Sequence, residues 1–407
     1  MKRIFALLLA LALAAGLSSA AFALEEEDLD MEYYTRFKGQ NISINVYNWG
    51  EYISDGSDDS MNVNKEFEEL TGIKVNYTNF ATNEELYAKL KTGGVSYDVI
   101  IPSDYMVARM INEGMLSPIN FDNVPNFKHI SEEFKYQPYD PENLYSVPYT
   151  WGVVGIIYNT TLVDESKDME TWDILWDADY AGEILMFSNP RDAFGIALKK
   201  CGYSMNPDST DQLREATEAL KDQKYLVQAY VMDEIFDKMT GGEAAIAPYY
   251  AGDAVTMIDD NPDLAFAIPR EGTNRFLDAM CIPKEAKNKE AAEMYINFMC
   301  EPEVGAANAE YIGYSSPNDA AFELLDEETQ ESPIIYPSDE VIEKSEFFNE
   351  LPTEINLAMD KMWTEVLSND EQYSEWFIPI LLVVCIGLSI AINVVRTLRR
   401  KRESRNY

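Results

Sequence analysis

Residues 42–49 read ISINVYNW, 64–70 NKEFEEL, 73–77 IKVNY, 83–91 NEELYAKLK and 97–101 YDVII. The first, third and fifth stretches carry β-branched and aromatic residues at strand length, and the second and fourth follow the period of an amphipathic helix. Gly72 closes one helix and the Gly93-Gly94 pair the other, and Pro102 ends the last strand. Strands separated by helices of this size pair in parallel through right-handed crossovers, so the stretch predicts an α/β lobe. In such sheets ligands gather at the carboxyl ends of the strands. That rule places Trp49-Gly50-Glu51-Tyr52 and Ser103-Asp104-Tyr105 on one rim.

A second series follows the same logic. Residues 153–158, 183–187 and 244–248 read as strands, with helices over 194–200 and 211–221 between them. A strand over 276–282 and a helix over 289–300 come next, and an acidic helical tail runs to about residue 370. Two lobes are therefore expected, which suits a chain of 407 residues that is 46% hydrophobic.

The two ends of the chain carry topogenic signals. Met1-Lys2-Arg3, the apolar run from Ile4 to Leu17 and Ala21-Phe22-Ala23 form a secretory leader over residues 1–23; an uncleaved anchor is the alternative. Residues 24–40, with Glu25-Glu26-Glu27-Asp28, read as a flexible acidic lead. The run from Trp376 to Val395 has 20 residues and no charge, long enough at about 1.5 Å per residue to span a hydrocarbon core of about 30 Å. The basic tail over 396–407 follows it, which keeps that end cytoplasmic and turns the rest outward. The expected location is the cell membrane, single-pass, with the bulk of the chain on the extracellular or periplasmic side.

Composition excludes several functions. A net charge of −39 argues against nucleic acid as a partner and favours cationic ligands through long-range steering. His129 is the single histidine, so no histidine-rich metal site is expected. With Cys385 inside the apolar run, Cys201, Cys281 and Cys300 remain, either as a Cys281–Cys300 bridge plus one thiol or as three buried thiols. No phosphate loop, nucleophile elbow or metal-spaced set accompanies the acids, so no enzyme and no cofactor are expected.

Tyr47-Asn48-Trp49-Gly50-Glu51-Tyr52, Thr71-Gly72-Ile73-Lys74-Val75, Tyr97-Asp98-Val99-Ile100-Ile101-Pro102-Ser103, Val147-Pro148-Tyr149-Thr150-Trp151-Gly152 and Ile312-Gly313-Tyr314-Ser315-Ser316-Pro317-Asn318 closely resemble segments of the bacterial spermidine/putrescine-binding proteins. The resemblance runs in one order over roughly residues 41–368. It implies a two-lobed type II periplasmic-binding-protein fold, with lobe 1 from 41–152 and 277–322 and lobe 2 from 153–276 and 323–370. It also implies a polyamine bound between the lobes and ABC transporter permease subunits as partners, with the membrane reached through the C-terminal helix.

Carried over residue by residue, the resemblance gives Trp49, Glu51 and Tyr52 to a first ligand loop and Ser103 and Tyr105 to a second. Tyr250, Phe276 and Tyr314 become walls, and Asp278 the central acid. In the loop Ser188-Asn189-Pro190-Arg191-Asp192 the family has two acids; Asp192 keeps one, and Asn189 replaces the other with an amide. Phe348 stands where the family has an amide contact. Core packing is the alternative role for Trp49, and helix capping or pairing with Arg191 the alternative for Asp192. Two other functions share the pattern: a receptor for another cationic solute, such as an amino acid or peptide, and a membrane-tethered polyamine sensor.

Overall fold

The computed structural model describes Leu24, Glu27 and residues 29–368. The leader, the apolar run over 376–395 and the basic tail lie outside the described residues. Among the described residues no helix is long and apolar enough to cross a membrane.

Among the described residues nine strands form one mixed sheet: β1 (Ser43–Trp49), β2 (Lys74–Phe80), β3 (Val99–Ile100), β4 (Ser146–Asn159), β5 (Ile184–Phe187), β6 (Val227–Val231), β7 (Ile246–Tyr250), β8 (Leu264–Ala267) and β9 (Arg275–Cys281). Their order is β2-β1-β3-β9-β4-β7-β5-β6, with β8 beside β4. The trios β2-β1-β3 and β7-β5-β6 are parallel, and the central pairings of β9 and β4 are antiparallel. Strand β4 joins the halves: residues 146–153 pair with β9, and 154–159 pair with β7 and β8. Pro148 can sit inside this long strand because the register shifts between Pro148 and Thr150, and a bulge relieves the missing N–H.

Both faces of the first half are covered. Ile44, Val46, Val99 and Ile101 pack toward the helices Val63–Thr71 and Lys289–Met299, where Phe67 meets Tyr295 and Phe298 at ring distances of 5.1 and 5.4 Å. Tyr47 and Ile100 face the helices Asn83–Thr92 and Asp104–Asn112 through Leu86, Met106 and Met110. Each such fully buried large side chain is worth about 1.5–3 kcal/mol. Burial on both faces also explains why Val99-Ile100-Ile101 reads as a continuous apolar run.

The expected flexible lead is corrected in its second half. Met31–Thr35 is a helix, capped by Asp30 through its bond from Tyr33 N at 3.0 Å. Tyr34 is 1% exposed and donates to Glu301 Oε1 at 2.5 Å, while Tyr33 donates to the Asn123 carbonyl. Two aromatic anchors outweigh the acidic composition around them. Cys201, Cys281 and Cys300 are all unpaired, the last two buried, which settles the open choice in favour of three thiols.

Candidate functional site

Two strands of each parallel trio, running in opposite directions, end at one place. Strand β1 runs into Trp49-Gly50, β3 into Ser103, β5 into Asn189 and β7 into Tyr250. Between these ends lies a cavity of about 660 Å³ of space not filled by protein atoms, its open mouth included. Trp49, Tyr52, Ser103, Tyr105, Asn189, Asp192, Tyr250, Phe276, Asp278 and Tyr314 all line it, as does Phe348.

Glu51 does not line it. The backbone turns left-handed at that residue, with φ of 46°, leaving the side chain exposed while Tyr52 returns to the interior. Asp233, from the loop after β6, sits over the neighbouring Gly50, where a Cβ would come within 2.5 Å of Oδ2. A side chain at position 50 would have to push that carboxylate aside.

The walls are aromatic and interlocked. Tyr52 meets Tyr314 edge to face at 4.9 Å, Tyr314 meets Phe276 at 6.0 Å, and Phe276 meets Tyr250 at 5.3 Å. Glycine again makes room, because a Cβ on Gly252 would lie 2.1 Å from the Tyr314 ring and one on Gly152 2.9 Å from Phe276. At the other end Tyr105 packs against Phe348 at 6.0 Å, and the Arg191 guanidinium lies 4.0 Å over the Phe348 ring.

Six carboxylates line the same cavity: Glu84, Asp104, Asp192, Asp233, Asp253 and Asp278; no lysine or arginine is among the lining residues. They are held differently. Asp104 is satisfied, accepting from Tyr105 N at 2.6 Å and Leu277 N at 3.3 Å. Asp192 Oδ2 accepts from Asn189 Nδ2 at 2.7 Å and Tyr250 OH at 2.9 Å. Asp278 Oδ2 accepts from Tyr52 OH at 2.7 Å, but its buried Oδ1 has no partner. Burial pushes the Asp278 carboxyl up to about 6, against the pull of Ser103 and Tyr52 and with the Asp192 charge adding to the push. Burial likewise raises Glu84, Asp104, Asp192 and Asp253, and the nearby Glu234 and Glu51 charges add to the rise at Asp233.

The two alternative roles of Asp192 in the loop over 188–192 can be compared with the geometry. The cap of the helix Pro190–Lys200 is Asn189, whose Oδ1 accepts from Asp192 N at 2.9 Å, so Asp192 is not the cap. Arg191 turns away, with Nη1 on the Met205 carbonyl at 2.9 Å and Nη2 on Asn206 Oδ1 at 2.7 Å. Asn189 therefore has both ends of its amide engaged and acts on the cavity by fixing Asp192. Trp49 also answers its alternative: it packs on Phe80 at 4.5 Å, yet its buried Nε1 lacks a partner.

Sequence reasoning passed over Glu84, Asp233, Asp253 and Asn274, which line the cavity as well. Glu84 and Asp253 lie in the first turns of their helices, where an acid is ordinarily read as a partner of the helix dipole. The unpaired buried polar atoms on the lining are three acceptors, Glu84 Oε2, Asn274 Oδ1 and Asp278 Oδ1, and one donor, Trp49 Nε1. A complementary solute brings several N–H groups, positive charge and an apolar body.

Comparison with known proteins points the same way. The family of bacterial extracellular solute-binding proteins matches residues 62–337. A spermidine/putrescine-binding periplasmic protein of Salmonella typhimurium is 36% identical over 312 residues, 76% of this chain and 88% of its own. A putrescine-binding periplasmic protein of Pseudomonas aeruginosa is 30% identical over 386 residues, 90% of this chain and 99% of its own. The solved structure of a spermidine/putrescine ABC transporter substrate-binding protein from Streptococcus pneumoniae is 37% identical with a TM-score of 0.68, covering 80% of this chain and 99% of that one.

Proposed function

The chain belongs to the family of bacterial extracellular solute-binding proteins, a family of receptors rather than enzymes with an α/β periplasmic-binding fold, and from that premise we propose that its solute is a polyamine. The observation that carries this reading is the lining: six carboxylates with no basic residue among them, three unpaired buried acceptors, and a run of aromatic walls. A polyamine matches each feature. An ammonium about 4 Å from one carboxylate gains up to roughly 4 kcal/mol at an effective dielectric near 20, before desolvation is set against it. An aromatic face adds roughly 0.5–2 kcal/mol per well-placed cation, and the methylene chain lies against the same rings.

In this reading Asp278, Asp192, Trp49, Tyr52, Ser103, Tyr105, Tyr250, Phe276 and Tyr314 contact the ligand, and Asn189 orients Asp192. The segments 41–152 with 277–322 and 153–276 with 323–370 act as two lobes. They close by bending where β4 changes partners, between residues 153 and 154. The closed, loaded form is the one offered to the permease subunits of an ABC importer. The uncharged run over 376–395 with the basic tail behind it supports a membrane anchor, with the leader over 1–23 supporting export.

Isothermal titration of the full chain with putrescine, spermidine, arginine and a neutral sugar tests the ligand class. Saturable binding of a polyamine and none of the sugar is expected. Binding of arginine with no polyamine binding would keep the receptor and overturn its ligand.

A further inference from the structure

Glu84 and Glu85 share the first turn of the helix Asn83–Thr92, capped by Thr82 through its bond from Glu85 N at 3.1 Å. Their surroundings differ. Glu85 is exposed and closes the turn by accepting from Ala81 N at 3.0 Å. Glu84 turns into the cavity, where Oε1 accepts from Tyr105 OH at 3.1 Å and Oε2 is cut off from solvent with no partner. An acid serving only the helix dipole gains nothing from leaving water, because burying an unpaired carboxylate oxygen costs free energy that the helix end does not return.

The neighbours hold that oxygen in place. Tyr105 is fixed against Phe348, and Arg191, stacked on Phe348, has Nη1 and Nη2 engaged with Met205 and Asn206. Asp192 is near enough for its charge to act on Glu84. Asp192 in turn has Oδ2 taken up by Asn189 and Tyr250. This end of the cavity thus has two acids facing one volume, one largely occupied and one with a free acceptor. The loop before the helix Pro190–Lys200 supplies a single acid, because Asn189 is an amide.

We propose that Glu84 is a direct ligand for a terminal ammonium of the bound polyamine, the second carboxylate beside Asp192 at the Tyr105–Phe348 end of the cavity. It rests on the polyamine reading above. An ammonium has three N–H donors; Glu84 Oε2 takes one and the Asp192 carboxylate another, while the Tyr105 and Phe348 rings exclude water. Glu84 does for this chain what a second acid in the 188–192 loop would do.

The test is titration of the full chain and its variants with spermidine and putrescine, together with melting of each unliganded protein. Glu84→Gln retains an acceptor for Tyr105 but loses the charge, and is expected to weaken polyamine binding at least tenfold. Its unliganded melting temperature should match or exceed the parent's, since a buried unpaired charge is gone. Tyr105→Phe is expected to lose only about threefold, and Glu85→Gln to match the parent. Binding by Glu84→Gln within twofold of the parent overturns the proposal and leaves the receptor reading intact. So does a Tyr105→Phe loss as large as that of Glu84→Gln, which would make Glu84 a mere anchor for the tyrosine. Failure of Glu84→Gln to fold overturns it as well. Absence of polyamine binding by the parent overturns both the proposal and the reading beneath it.

Discussion

Asp192 and Asp278 are both buried acids on the wall of one cavity, yet the protein holds them in different ways. Asp192, 7% exposed, stands in the first turn of a helix, and Asn189 Nδ2 and Tyr250 OH both donate to its Oδ2. Asp278, 4% exposed, projects from the central strand β9; Tyr52 donates to one oxygen, and the other has no hydrogen-bond partner, with the Ser103 hydroxyl near enough to favour the ionised form. A buried carboxylate already supplied with donors is partly a structural fixture. One left short of donors is set for a partner that arrives with the ligand.

The largest expected effect tests that difference at its stronger member. Asp278→Asn should weaken polyamine binding by about a hundredfold, near 2.7 kcal/mol, as read by titration, because an ammonium loses a charged acceptor in a desolvated place. A loss smaller than that of Asp192→Asn would reverse the comparison.

The next effect comes from pH. The folded protein holds the Asp278 proton up to about 6, above the ordinary 3.8. In the unliganded protein this group's unfavourable contribution to stability therefore grows as pH rises from about 4 to about 6 and is complete above that. A cationic ligand favours the ionised form. Affinity at pH 5 should accordingly be about tenfold weaker than at pH 7 from this group alone. Glu84, Asp104, Asp192 and Asp253, raised by the same burial, deepen the fall at lower pH. Titrations across pH 5–8 check the profile, and Asp278→Asn should flatten its upper part; an unchanged profile in that variant would place the titration elsewhere.

Smaller losses should follow at the satisfied acid and at the rim. Asp192→Asn is expected to cost about fivefold in affinity, since Tyr250 OH and Asn189 Nδ2 still find an acceptor there. Glu51→Gln should stay within about twofold, with any change confined to low salt, because an exposed charge outside the lining acts only by screened attraction. A tenfold loss at Glu51 would return that residue to the site.

Much of this arrangement was legible in the residues. The helices at 63–71, 83–92 and 289–299 and the strands at 43–49 and 275–281 fall within a few residues of their periodic signals, because their apolar stripes face a core on a regular spacing. Strands β6 and β8 went unread: Val227–Val231 is largely half-buried and interrupted by Gln228, and Leu264–Ala267, although apolar throughout, is an edge strand of only four residues. The helix Met31–Thr35 was hidden by its acidic surroundings; Tyr33 and Tyr34 beside a capping Asp30 were the available signal.

The site divides along the same line. Trp49, Tyr52, Ser103, Tyr105, Tyr250 and Tyr314 follow the ends of strands or sit in recognisable segments, so the family resemblance reached them. Glu84 and Asp253 did not stand out, because an acid in the first turn of a helix is common and its inward direction is invisible in one dimension. Glu51 shows the converse: it sits between two residues that neighbour or line the cavity, and a left-handed backbone turn leaves its side chain exposed and off the lining.

By itself, the sequence determined the α/β class, the order of strands and helices over residues 42–101 and an acidic charge balance that favours a cationic ligand. These are local or compositional properties, set by side-chain period and charge. Only the tertiary structure decided which acids face the cavity, which of their oxygens lack donors, and that Asn189 caps a helix while Glu84 points inward. Those outcomes depend on the meeting of residues far apart in the chain, such as Tyr52 with Asp278 and Tyr105 with Phe348, and on desolvation, which exists only once the walls have closed around the group.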